Sequence, residues 1–381
     1  MDAPAVHLNA QALSGFGWHL PVSVRFGLSA ANEAARDLQG RRVLVLTYNG
    51  SRVDPVVEQL SRVLADGLID WIEVPDGLST MALGRGMALR AWSTMQDHPD
   101  AVLLGLGGGS VMDIAKWIRL RPPNGHPAEL DRLIESTAAP ADWTRHELWL
   151  MPTTAGTGSE VTRWSTLWDT DAHPALKRSF DQSYGWADRA YVDPRLTRTC
   201  PPTVVRDSAL DALGHALEVL WNRHRNPMSV SLARSAAIGV MTNLPKVLGD
   251  PDDVQLRAHL SMAALQAGLA FSQTRTALAH ALSYPLTVEH GVPHGAAVAV
   301  WLPLVWRLAC GHNTEIDASL SCVLGQPAKG GPVALQAWFD EIGFDFDLQG
   351  LGIVNVEQRV RAAMDHPRGR NFEGRWVDAE V

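Results

Sequence analysis

The stretch Ala101–Lys116, AVLLGLGGGSVMDIAK, decides how the first half of this chain folds. Its first six residues form a continuous apolar run, the length of a strand buried on both faces. Gly107, Gly108, Gly109 and Ser110 follow, and a helical spacing of apolar residues begins at about Ser110. Glycine lets a backbone turn sharply and approach a ligand closely. The amides at the start of the next helix point outward, and the helix dipole favours an anion there. A dinucleotide diphosphate suits that position, although a plain strand-to-helix turn has the same local sequence. The segment is neither a G-x-G-x-x-G fingerprint nor a Walker A loop.

Outward from this core the pattern repeats. Arg42–Thr47 (RVLVLT), Ile69–Val74 and Glu147–Pro152 (ELWLMP) read as strands. Val53–Ala65 and Thr80–Met95 read as helices between them. Such alternation predicts a parallel sheet with crossover helices. Beyond Asp193-Pro194 and Pro201-Pro202 the patterning turns helical. It predicts helices at Asp207–Leu220, Val230–Leu244, Val254–Ala270, Thr274–Leu282, His294–Ala309, Val333–Ile342 and Val356–Met364. The chain therefore reads as an α/β domain over residues 1–196 and a helical domain over 197–381.

A second loop follows the strand at Glu147–Pro152. Met151–Thr162 reads MPTTAGTGSEVT, rich in glycine and hydroxyls. It serves either as a polar surface loop or as a set of partners for ribose, phosphate and carboxamide groups. Two glycine-rich loops at the C-terminal ends of parallel strands sit where open α/β sheets bind ligands.

The helical half carries a possible metal-ligand set. Asp211 and His215, in DALGHALE, are four residues apart and share one helix face, about 5–6 Å apart at Cβ. His280 lies in TRTALAHALSYP, and His294 closes EHGVPH. By spacing alone, the first pair also suits a surface pair and His280 a satisfied core histidine. All three histidines nevertheless border small apolar helical segments, where an unpartnered imidazole is costly. One shared Fe²⁺, Zn²⁺ or other divalent first-row ion would satisfy them together.

GGGSVMDIAK, MPTTAGTGSEVT, DALGHALE and ALAHALSYPLTVEHGVPHG, in this order, resemble the iron-containing (group III) alcohol dehydrogenase family. The resemblance covers the chain from about residue 40 to the C-terminal helices. It implies an N-terminal Rossmann-like domain and an all-α C-terminal domain, the dehydroquinate synthase-like fold, with the active site in the cleft between them. It implies Asp211, His215, His280 and His294 as metal ligands. Gly108, Gly109, Ser110, Asp113, Thr153, Thr154, Thr162 and Lys177 are implied as contacts to NADH or NADPH. A cytoplasmic homodimer acting on a small aldehyde or alcohol is the corresponding expectation.

Two departures stand out. Many NAD-using members have an acidic residue after the first strand; here Tyr48 takes that place. Without the carboxylate a 2′-phosphate is no longer repelled, and Arg52 is a candidate partner for it; equally, Tyr48 packs on the turn and either cofactor serves. Many members also carry a histidine four residues after the third ligand, where this chain has Tyr284. Its phenol serves either as a proton relay or as a wall of the site.

Within the family, SYPLT (283–287), EVTRW (160–164) and HPRGRNF (366–372) are similar to phosphonoacetaldehyde reductases, which make 2-hydroxyethylphosphonate in phosphonate biosynthesis. Arg163, Arg368 and Arg370 are the corresponding candidates for binding an anionic substrate, arginine's planar fork suiting a phosphonate. A solvated basic tail is the other reading of His366, Arg368 and Arg370. Rival activities are reduction of a short aliphatic or hydroxy aldehyde such as lactaldehyde, a sugar-phosphate lyase of the dehydroquinate synthase type, and a silent scaffold.

Composition bounds these readings. The chain has 381 residues, 46% hydrophobic and 19% charged, with formal net charge −8. That acidic balance argues against a nucleic-acid partner. Cys200, Cys310 and Cys322 are too few and too scattered for a disulfide scaffold or a thiolate zinc site, which suits a reducing compartment. The N-terminal MDAPAVHLNAQAL lacks the signature of a signal peptide, and no run of 18 apolar residues predicts a membrane span.

Overall fold

The computed structural model describes residues 15–51, 54–135 and 141–376. Arg52 lies outside them. The chain forms two compact units. One is Leu20–Pro201; the other is Pro202–Val381 together with the described residues before Leu20.

The first unit is a twisted parallel sheet with helices. Its elements are β1 (Ser23–Phe26), α1 (Ala30–Asp37), β2 (Val43–Tyr48), α2 (Pro55–Leu64), β3 (Leu68–Val74), α3 (Met81–Thr94), β4 (Val102–Gly107) and α4 (Gly109–Ile118). β5 (Glu147–Pro152), β6 (Trp164–Asp169), β7 (Leu176–Asp181) and β8 (Arg189–Val192) follow. The sheet order is β1-β8-β5-β4-β2-β3, with every pairing parallel. Side chains alternate across it: Leu44, Leu46, Leu103, Leu148 and Leu150 enter one core, and Val43, Val45, Val102, Leu104, Trp149 and Met151 enter the other. Burial on both faces explains why β2 and β4 read as unbroken apolar runs.

Four of these strands were not legible as such. β1 and β8 are only four residues long, and the antiparallel hairpin β6–β7 carries polar residues at most of its partly exposed positions. α2 starts with its Asp54 cap, whose side chain accepts from Val56 and Val57 N–H. That cap satisfies amides the helix leaves open.

The second unit is helical: α5 (Pro202–Leu220), α6 (Pro227–Gly249), α7 (Val254–Thr274), α8 (Leu278–His290), α9 (His294–Ala299), α10 (Leu302–Ala309), α11 (Thr314–Leu324), α12 (Gly331–Glu341) and α13 (Val356–Asp365). Two expectations need correcting. The single helix expected over His294–Ala309 is two, because Pro303 lacks the N–H a continuous helix requires and instead occupies the first turn of α10. The helix expected from Thr274 begins only at Leu278, because Arg275 adopts φ 67°, ψ 174°. No described helix is long and apolar enough to cross a membrane.

Candidate functional site

Three histidine Nε2 atoms converge on one buried carboxylate oxygen. Asp211 Oδ1 lies 3.4 Å from His280 Nε2, 3.8 Å from His215 Nε2 and 3.9 Å from His294 Nε2. The ligand atoms of Asp211, His215 and His280 all lie within 4.8 Å of one another. Asp211, His215 and His280 are buried; His294 is about one-third exposed and forms the open side.

Local packing makes this convergence. Asp211 and His215 project from one face of α5. Gly214, between them, has no room for a side chain: a Cβ would come within 2.5 Å of Val298 Cγ1. A Cβ on Gly295 would meet the Asp207 carbonyl oxygen at 1.7 Å. These two glycines allow α9 to press against α5 and bring His294 to Asp211. The His215 ring stacks on Phe271 at 4.0 Å between centroids and on His280 at 4.7 Å.

Electrostatics fit a cation. Burial pushes the Asp211 carboxyl upward, but the imidazoles of His215, His280 and His294 outweigh it and hold the group well below the usual carboxylate range. Asp211 Oδ1 and His280 Nε2 face each other, and neither makes a well-formed hydrogen bond among the described residues. Two such atoms in a dry site carry a desolvation cost that a shared ion would remove. Three imidazoles and a carboxylate are the donor set of a divalent first-row metal.

Tyr284 lies one turn beyond His280 on α8, half-buried, with the His366 ring 5.8 Å from its own. Burial raises the phenol above its ordinary range, while the nearby Arg368 charge pulls it down. Arg368, two residues after His366, is half-buried, whereas Arg370 is exposed. Arg163 lies in the other unit, where its Nε donates to Asp181 at 2.7 Å.

The two glycine-rich loops lie against each other in the first unit. Gly108 precedes α4, whose N-terminus has no side-chain cap. A Cβ on Gly109 would meet Thr157 Cγ2 at 2.8 Å, so the loops are too close for a larger residue. The buried Thr154 Oγ1 finds no hydrogen-bond partner among the described residues. An uncapped helix start beside an orphaned hydroxyl fits a diphosphate-bearing ligand. Thr153 and Thr162 are buried, Ser110 donates weakly to the Gly77 carbonyl at 3.4 Å, and Lys177 stands 5.6 Å from the Trp168 ring. Tyr48, at the end of β2, is engaged by the Thr199 side chain, and burial raises its phenol.

Asp113 serves the loop itself. Its Oδ1 accepts from the Ser159 hydroxyl and its Oδ2 from the Thr166 N–H, both at 2.7 Å. Lys116, which the sequence reading left without a role, is fully buried and donates to the Trp164 carbonyl at 2.6 Å and to Thr162 Oγ1 at 3.4 Å. Together they tie α4 to the second loop. Burial lowers Lys116 to about 8 and raises Glu160, beside it in the loop, to about 7.

Glu160 gives a pH signature. Its folded-state value lies above the unfolded one, so between about pH 4.5 and 7 the folded chain retains a proton the unfolded chain has lost. Stability is expected to fall as pH rises through that window and then level off. At about 1.4 kcal/mol per pH unit the loss approaches about 3 kcal/mol. Glu160→Gln should remove that slope in urea unfolding at pH 5, 6 and 7; an unchanged slope would assign it to other groups.

The geometry is matched by kinship. Residues 21–194 match the pattern described as iron-containing alcohol dehydrogenase, and residues 205–372 match its C-terminal counterpart, the Fe-containing alcohol dehydrogenase family. A long-chain-alcohol dehydrogenase of Geobacillus thermodenitrificans is 33% identical over 305 residues, covering 73% of this chain and 72% of that protein. A sulfoacetaldehyde reductase of Bilophila wadsworthia is 28% identical over 283 residues, covering 73% and 70%. The crystal structure of a sulfoacetaldehyde reductase from Bifidobacterium kashiwanohense in complex with NAD⁺ superposes with a TM-score of 0.84 at 24% identity, covering 95% of this chain and 96% of that one. This chain belongs to the iron-containing alcohol dehydrogenase family. It is an oxidoreductase of the alcohol dehydrogenase type.

Proposed function

We propose that the protein reduces an anionic short-chain aldehyde to its primary alcohol, with phosphonoacetaldehyde yielding 2-hydroxyethylphosphonate as the leading substrate. The convergence of three imidazole Nε2 atoms on Asp211 carries the reductase reading. The segment of Arg368, whose His366 ring stands 5.8 Å from that of Tyr284 one turn beyond His280, supports the anionic one, and the Arg368 charge is felt at the Tyr284 phenol. The kinship with a sulfoacetaldehyde reductase, whose name denotes another charged acetaldehyde, supports the class. Reduction of a neutral aldehyde such as lactaldehyde is the alternative.

Asp211, His215, His280 and His294 would hold Fe²⁺ or another divalent ion, which supplies Lewis acidity toward the substrate oxygen. Gly108, Gly109, Ser110, Thr153, Thr154, Thr162 and Lys177 would hold a nicotinamide dinucleotide, the hydride source. Asp113 and Lys116 keep the loop bearing Thr162 in shape. The Tyr284 hydroxyl would pass the proton that the product oxygen takes up. Arg368 would receive the substrate's anionic end through its planar fork. Arg163 and Arg370 would assist less, the first already paired with Asp181 and the second facing solvent. Tyr48 in place of a carboxylate leaves room for NADPH as well as NADH. The enzyme would act in the cytoplasm as a homodimer.

The direct test is cofactor oxidation by Fe²⁺-loaded protein, with NADH and with NADPH, against phosphonoacetaldehyde, sulfoacetaldehyde, lactaldehyde and propanal. The expected result is a kcat/KM for an anionic aldehyde at least about tenfold above propanal, as one charge-assisted hydrogen bond supplies. Equal turnover of all four would remove the anionic reading and leave the reductase.

A further inference from the structure

Glu218 is fully buried on α5 and takes no part in the chemistry described above. It continues the face of α5 that bears Asp211 and His215, at spacings of four and then three residues. Three nitrogen atoms surround its carboxylate. Oε2 accepts from the Ala277 N–H and lies 2.8 Å from His280 Nδ1, while Oε1 accepts from the His280 N–H at 3.2 Å.

Ala277 and His280 stand at the start of α8, whose cap residue Ala277 offers no side-chain acceptor. A helix start leaves amides open and carries partial positive charge. Glu218 therefore caps α8 from a different helix. The turn entering α8 is strained: Arg275 adopts φ 67°, ψ 174°, a region that side chains rarely occupy. It is held by Asn222 Nδ2 on the Arg275 carbonyl at 3.1 Å and by Asn371 Nδ2 on the Thr276 carbonyl at 2.8 Å. Asn222 also comes from this side of the chain, two residues past the end of α5.

We propose that Glu218 is a positioning residue for the metal site, acting through His280. An ionised carboxylate only accepts hydrogen bonds, so Nδ1 of His280 carries the proton toward Glu218. Nε2 is thereby left with its lone pair aimed at Asp211 Oδ1. The same carboxylate holds the Ala277 and His280 N–H groups at the start of α8, so ring tautomer and backbone position are set by one group. Carboxylates behind metal-bound histidines orient the ring and raise its basicity. The inference rests on the metal-site reading given under the proposed function.

Glu218→Gln is the discriminating variant. Glutamine keeps the size but offers a single acceptor oxygen and two donor hydrogens, so it cannot serve three donors. In the full chain, with Co²⁺ as the probe, the variant should keep the wild-type far-ultraviolet circular dichroism. Its Co²⁺ dissociation constant should rise 10- to 100-fold, roughly the cost of losing such a partner. Its visible d–d absorption should also shift, which a purely structural role would not produce. A folded Glu218→Gln with an unchanged dissociation constant and spectrum overturns the inference. Should the variant not fold, nitrogen NMR of imidazoles in the wild-type Zn²⁺ complex decides it. His280 protonated at Nδ1 and metal-bound at Nε2 supports the inference, and the opposite tautomer overturns it. Wild-type protein that bound no Co²⁺ would overturn the metal reading as well, whereas wild-type binding with an indifferent variant overturns the role of Glu218 alone.

Discussion

Asp211→Asn should strip the protein of tightly held metal and lower kcat/KM for aldehyde reduction by on the order of 1000-fold. Asparagine has nearly the same shape, so the packing of α5 against α9 at Gly214 and Gly295 should survive. The charge would not. Among the described residues, Asp211 is the carboxylate on which the Nε2 atoms of His215, His280 and His294 converge, at 3.4 to 3.9 Å. Lewis-acid assistance contributes several kcal/mol to such reactions, and each 1.36 kcal/mol is worth about tenfold in rate. Metal analysis after dialysis, alongside steady-state kinetics, checks both halves. A variant that kept stoichiometric metal and most of its activity would show that the imidazoles suffice and that Asp211 is not a ligand.

Arg368→Ala should separate substrates by charge. Its segment meets α8 at Tyr284, one helical turn beyond His280, where the His366 ring stands 5.8 Å from the tyrosine ring, and its charge lowers the Tyr284 phenol. A hydrogen bond from a charged donor to a charged acceptor contributes about 1.5–3 kcal/mol, so kcat/KM for phosphonoacetaldehyde should fall roughly 10- to 150-fold. Turnover of propanal should change by less than about threefold, since a neutral chain forms no such pair. Arg370→Ala, at an exposed position, should leave both substrates within about the same threefold. Equal losses on the charged and neutral aldehydes in Arg368→Ala would make Arg368 a structural residue of the His366–Phe372 segment instead of an anion partner.

Much of the site is legible in the chain because its signals are short-range. Gly107–Ser110 after AVLLGL marks a strand, a turn and a helix start by sterics alone. Asp211 and His215 share a face because 3.6 residues make a turn. The roles of buried polar groups were not legible. Asp113 reads as a cofactor contact, yet its oxygens accept from Ser159 and Thr166. Lys116 reads as one more helix residue, yet it holds the loop that carries Thr162. Glu218 stands in the quoted DALGHALE, and its helix phase beside Asp211 and His215 was available. Its partner on α8 was not, because no local rule pairs residues so far apart in the chain.

The amino-acid sequence by itself determined the strand–helix alternation of the first unit, the helical second half, the two glycine-rich turns and the chemical types of the ligand set. Each follows from hydrophobic period, glycine sterics or side-chain chemistry within a few residues. Only the tertiary structure decided that His280 and His294 reach Asp211, that the His366 ring meets Tyr284 while Arg370 faces solvent, and that Glu218 stands behind His280. The convergence on Asp211 and the place of Glu218 depend on α5, α8 and α9 packing at the close approaches of Gly214 and Gly295 and on the strained turn at Arg275. Desolvation then forces each buried polar atom to find a partner among whatever the packing brings near.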